Sequence, residues 1–328
     1  MELNSVRELK AALAAKVVPA AAESAMMRGP ARALSLTLAS PPAIALGVAP
    51  KAGGGYALAV RLQHRALEDG PTVKLITKQA KNEVDMRYIG MVGKRAAPWF
   101  QRRQRPLLIG CSVGHVKVTA GTLGAFVRPR LGGALAILSN NHVLANENRA
   151  KKGDAILQQA SHDGGQDPDD VVATLASFQK LKRSGVNYVD CATAEILDGI
   201  DANTTNLKGL GKLKGLGSEF LDEGTKVAKL GRTTGLTRGR VTAFELDDVK
   251  IGFDTSDLRF DNTIEIEGTE DTPFSLGGDS GSLILDESGW AVGLLFAGSD
   301  QGGTNGQGLT YANPIRSVLD TLKVDLVF

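Results

Sequence analysis

The chain has 328 residues, 42% hydrophobic and only 5% aromatic, with 39 glycines; that mixture suits short strands and tight turns around a real core better than a helical bundle. Its 38 basic and 36 acidic residues leave a formal charge of +2, so no global field argues for a nucleic-acid partner. Cys111 and Cys191 lie far apart without metal-ligand spacing, against a disulfide framework or zinc site and in favour of reduced, buried thiols, and no apolar run of about 18 residues offers a membrane span.

At the N-terminus, residues 11–22 are apolar, but Glu2, Arg7, Glu8 and Lys10 precede them and Lys16 and Pro19 interrupt them. That is unlike a signal peptide, and a cytoplasmic location is expected. Ser5 followed by Glu8 has capping-box spacing and predicts a helix from about Val6, ended or kinked at Pro19. Alternating Leu34, Leu36 and Leu38, then residues 44–48, 56–62 and 84–88, read as strands, with Gly53-Gly54-Gly55 as a turn. Residues 1–93 are therefore expected to form a helix plus a small α/β unit.

Residues 94–106 place Lys94, Arg95, Arg102, Arg103 and Arg105 around Trp99 and Phe100. In a balanced chain this is a thin electrostatic footprint, and it reads as a basic linker or docking strap. From residue 107 to 328 strand and turn alternate, with strands predicted at 116–119, 122–127, 134–138, 186–197, 226–230, 240–246, 263–266, 281–285 and 290–296. The glycine- and lysine-rich segment 206–217 reads as a flexible connection between two β units. Residues 314–322 predict a C-terminal helix that starts on proline.

The sharpest chemical signal is Leu276-Gly277-Gly278-Asp279-Ser280-Gly281-Ser282-Leu283. Backbone N–H groups converge on an oxyanion only where the chain curls without side chains in the way, and Gly278 and Ser280 are the natural donors. A serine hydroxyl needs a base. Of the four histidines, His64 lies in the N-terminal unit, His162 in a polar loop and His115 before the first strand of the β region, whereas His142 stands at the end of the apolar strand 134–138, in Leu138-Ser139-Asn140-Asn141-His142. The base needs an orienting carboxylate, and Asp190 is the lone acid in the apolar stretch Tyr188-Val189-Asp190-Cys191-Ala192. The loop from Asp163 to Asp170 carries oxygen donors, but its spacing matches no EF-hand loop; it reads as a solvated turn, and neither metal nor cofactor is expected.

The order His142, Asp190, Ser280 is the chymotrypsin order. With Gly121-Thr122-Leu123-Gly124, Lys229-Leu230-Gly231-Arg232-Thr233-Thr234-Gly235 and the stretch from Gly293 to Gly298, residues 107–322 resemble a chymotrypsin-like (trypsin-like) serine peptidase of bacterial type, with an N-terminal extension. The resemblance implies a mainly β fold of two six-stranded antiparallel barrels. It also implies a His142–Asp190–Ser280 triad, an oxyanion hole from Gly278 and Ser280, and a substrate pocket from Phe274, Phe296, Gly298 and Leu309. Such a pocket holds no acid, so cleavage after small or medium apolar residues is expected rather than after Lys or Arg. The substrate is then protein or peptide. An esterase using the same triad and a catalytically silent binding module are the alternatives. The N-terminal unit is left two roles, restraining the cleft or recruiting a regulatory partner.

Overall fold

The structure is a computed structural model and describes residues 1–26, 44–90, 92, 96–218, 220–222, 224–254, 256–269 and 271–328. The strand expected through Leu34, Leu36 and Leu38, and the cations Lys94 and Arg95, lie outside these residues. The chain divides into two compact units, Met1–Ala96 and Ala97–Phe328.

In the first unit a helix spans Leu3–Met26, starting ahead of the predicted position and continuing through Pro19. Proline removes one amide donor, but the alanines that follow it have the highest helix propensity, so the helix is not ended. Strand Tyr56–Leu62 pairs antiparallel with Ile44–Pro50 and parallel with Val84–Tyr88. The parallel pair needs a crossover, which helix Pro71–Gln79 supplies. Val6, Leu13, Leu58, Val60, Val73 and Ile76 form the core of this unit.

The second unit is mainly β. Its C-terminal half is a closed six-stranded barrel in the order Lys226–Gly231, Gly235–Leu246, Thr263–Gly268, Leu309–Pro314, Ala291–Gly298 and Leu283–Asp286. Its N-terminal half closes differently. Gly121–Thr122 pairs with Ser112–His115, while the same segment, continuing as Ala125–Pro129, pairs with Ala136–Ser139. The ladder then runs through Ala192–Ile196, Val171–Phe178 and Ala155–Leu157 back to Ser112–His115. Six segments thus return on themselves where Leu123 and Gly124 pass from one neighbour to the other. Gly124 has to be small there, because a Cβ would lie 2.2 Å from the carbonyl oxygen of Gly281, and this close approach brings the Ser280 loop against the first barrel.

Several expectations shift. The strand predicted at 116–119 lies at Ser112–His115, with the turn after it. The predicted strand 186–197 is broken into Val186–Asn187 and Ala192–Ile196. Residues 206–217 are no free connection: they form a small hairpin, Asn206–Leu207 with Gly211–Lys212, and bury Leu207 and Leu213. Residues 99–106 strap the second unit. Arg105 donates to the side chain of Gln158 at 2.6 Å, Gln101 donates to Arg232 O at 3.1 Å, and Phe100 lies where a Gly235 side chain would be. The C-terminal helix, Ile315–Leu322, follows Pro314 as predicted, and strand Val324–Leu326 then crosses back to Ala125–Pro129, tying the two barrels together.

Candidate active site

Strand Ala136–Ser139 runs into a one-turn helix, Asn141–Leu144, that carries His142. Asp190 is not on a strand, as the apolar stretch suggested; it sits in the break between Val186–Asn187 and Ala192–Ile196, fully buried. Off the ladder, its main chain is free for side-chain partners and its carboxylate meets the start of the His142 helix. Oδ1 accepts the amides of Asn141 at 2.6 Å and His142 at 3.3 Å, and Oδ2 meets His142 Nδ1 at 2.5 Å. The main chain of Asp190 is also held, its amide by Asn313 Oδ1 at 2.8 Å and its carbonyl by Asn140 Nδ2 at 2.8 Å. Burial by itself disfavours the His142 imidazolium, but the Asp190 carboxylate and its hydrogen bond, helped by Glu147 and Asp254, outweigh it. The imidazole pKa is therefore held above the usual histidine value.

Ser280 lies in a tight loop between buried layers. Gly278 and Gly281 have φ of +95° and +92°, a conformation that L side chains avoid. Every backbone carbonyl from Gly277 to Ser280 has a donor: Thr233 Oγ1 at 2.7 Å, Thr122 Oγ1 at 3.0 Å, the Ser282 amide at 3.0 Å and the Thr122 amide at 2.8 Å, in that order. The amides of Asp279 and Gly281 donate to Leu276 O and Leu295 O. The amides of Gly278 and Ser280 donate to no acceptor among the described residues. Two unspent N–H groups flanking Asp279, in a loop whose carbonyls are all satisfied, are what an oxyanion site requires.

Asp279 anchors this loop from inside. Its Oδ1 accepts the amides of Thr233 and Thr234, at 2.8 and 3.1 Å, and its Oδ2 accepts the Leu276 amide at 3.0 Å and Thr234 Oγ1 at 2.7 Å. Lys229 Nζ completes the set at 3.1 Å, with both side chains fully buried. Burial holds the Lys229 ammonium below the usual lysine range despite Asp279. An internal cation thus meets the acid before the serine, with no free chain terminus involved.

His142 and Ser280 open on one groove of about 670 Å³, which Phe296 and Gly298 also line. No hydrogen bond joins His142 to Ser280 among the described residues. Phe274 does not form the pocket floor; it is buried inside the second barrel beside Val241 and Ile266, with Lys229 Nζ 5.8 Å from its ring. Leu309 likewise does not line the groove. Near Gly298, Ser275 Oγ and Thr310 Oγ1 are hydrogen-bonded at 2.7 Å.

The sequence reading missed the hairpin Val249–Gly252 with Asp257–Phe260, which leans over the site. Its Phe253 ring meets the His142 ring edge-on at 5.8 Å and continues to Phe260 and Phe296. It also missed the three consecutive left-handed residues Asn146, Glu147 and Asn148 after the histidine helix. Asn148 is clamped by Asn141 and Leu181, and Glu147 accepts the Asp254 amide at 3.0 Å. Fixed side-chain partners hold this strained turn.

The family model for the Nal1 C-terminal domain matches residues 190–327, less than half of the chain, a span that includes Asp190 and Ser280 and begins beyond His142. No curated protein matches the chain. Similar solved structures include Thermobifida fusca protease A, 18% identical with a TM-score of 0.46, covering 67% of this chain and 97% of that one. Cellulomonas bogoriensis chymotrypsin is 18% identical at a TM-score of 0.44, covering 67% and 97%. Nocardiopsis protease is 14% identical at 0.46, covering 67% and 98%. Likenesses this distant carry no activity over to the chain. By its own strand order, the second unit has the chymotrypsin-like double-barrel fold.

Proposed function

We propose that the second unit is a serine endopeptidase that hydrolyses protein or peptide bonds through an acyl-enzyme. The observation that supports this best is the pair of unspent amides, Gly278 and Ser280, in the loop of a serine that shares a groove with an imidazole oriented by a buried carboxylate. Donation of His142 Nδ1–H to Asp190 leaves Nε2 as the base. It takes the Ser280 proton as Oγ bonds to the acyl carbon, and the two amides stabilise the oxyanion. Collapse expels the amine, which leaves with the proton from His142; water then repeats the sequence and frees Ser280. The hydroxyl–imidazole hydrogen bond is formed on substrate binding, as is common for such pairs.

Glu147 and Asp254 line the groove, but Arg149 lies 3.6 and 3.0 Å from them. Neither is a free counter-ion for a substrate cation, which supports cleavage after small or medium apolar residues. The test is a peptide library and matched ester and amide substrates, run on the wild type and Ser280→Ala. Amide cleavage lost by roughly 10⁶-fold in the variant is expected. Ester cleavage alone would make the protein an esterase, and no turnover by the wild type would leave a silent binding module.

A further inference from the structure

One peptide shortly before Ser280, Gly277–Gly278, lies between two glycines. Gly277 has open space where a Cβ would stand, and Gly278 already adopts φ of +95°. No side chain of its own therefore opposes rotation of the Gly277–Gly278 peptide, which would exchange the directions of its N–H and its carbonyl. Something else has to hold it. Thr233 Oγ1 donates to Gly277 O at 2.7 Å, and Thr122 Oγ1 donates to Gly278 O at 3.0 Å.

A hydroxyl has one proton and two lone pairs, so what it accepts decides where its proton goes. Both hydroxyls accept from one residue. The Arg232 amide donates to Thr122 Oγ1 at 3.0 Å, and Arg232 Nη1 donates to Thr233 Oγ1 at 3.2 Å. Each proton is thereby left for a carbonyl. The guanidinium itself is gripped by Asp163, which accepts from Nε at 2.7 Å and from Nη2. The side chains of both are nearly buried, at 10% and 6% exposure. Asp163 belongs to the loop expected to be a solvated turn; it is instead the far end of this clamp.

We infer that Arg232, clamped by Asp163, is a positioning residue that fixes the Gly277–Gly278 peptide with its N–H toward the groove, acting through Thr233 and Thr122. Thr122 and Asp163 come from the first barrel and Thr233 from the second. The donor pair is therefore complete only while the Asp163 loop is docked. The kinetic consequence rests on the proposed peptidase reading; the peptide orientation does not.

The experiment compares crystal structures and kinetics of the full-length wild type, Thr233→Val, Thr233→Ser and Arg232→Met. Thr233→Val keeps shape and loses the donor. We expect its Gly277 carbonyl turned toward the groove, with kcat lower by about 10²-fold and KM within about 3-fold, since one oxyanion donor is worth that much. Thr233→Ser is expected to restore both the orientation and kcat to within about 3-fold, and Arg232→Met to share the turned peptide. An unturned Gly277–Gly278 peptide in either Thr233→Val or Arg232→Met overturns the inference whatever the activity. A wild type that cleaves nothing overturns the peptidase reading instead, and the peptide orientation still decides the inference.

Discussion

Lys229→Met removes the cation from a pair with no access to water. Asp279 would keep four donors, from Leu276, Thr233 and both the amide and hydroxyl of Thr234. It would lose the one cation paired with it among the described residues. Breaking one side of a buried pair costs about 3–5 kcal/mol, and four remaining hydrogen bonds place this case near 3. For a unit of this size that is a fall in Tm of roughly 6–12 °C. A matched control lies on the same strand: Lys226 pairs with Glu287 at 3.4 Å, both 67% exposed, and Lys226→Met is expected to shift Tm by less than about 3 °C. Differential scanning calorimetry of the three proteins reads both effects. Equal, small shifts in the two variants would refute the claim that the Ser280 loop is anchored by an internal charge.

The raised His142 pKa places the acid limb of kcat/KM above the usual histidine value, because only the neutral imidazole serves as base. Asp190→Asn is expected to move that limb down and to lower the rate about 10⁴-fold, read from pH–rate profiles. The same shift adds folding stability below the unfolded histidine pKa of about 6.5, and the gain is lost as pH rises through the higher folded value; His142→Gln should abolish that slope in melting experiments. Gly281→Ala is expected to destabilise by about 2–5 kcal/mol, because its Cβ would stand 2.0 Å from Ser139 Oγ at φ of +92°, while Gly277→Ala, facing open space, should melt near the wild type. Burial pushes the Cys111 thiol up to about 12 and Cys191 well above its usual value, so neither should react with iodoacetamide at pH 8 until urea is added.

His142, Asp190 and Ser280 were legible because each is chemically out of place locally: a serine among glycines, a lone acid in apolar chain, an imidazole after a buried strand. Their neighbours were not. The family resemblance pointed to Phe274 for the pocket but said nothing of its direction, and its ring turns into the barrel. Lys229 looked like an ordinary strand cation, since nothing within Lys226–Gly231 announces an acid 50 positions later. Phe253 sits in a short hairpin whose strands, Val249–Gly252 and Asp257–Phe260, are too brief for periodicity to register. The strands of both barrels were easier, because alternation is local, yet Asp190 needed a break in that alternation to reach His142.

The most direct measurement is the intact mass and adduct site after treatment with a fluorophosphonate at neutral pH. A single adduct on Ser280, slowed at least 10³-fold in His142→Ala, is the expected result. An adduct on another residue, or labelling of Ser280 that is indifferent to His142, would contradict the proposed chemistry.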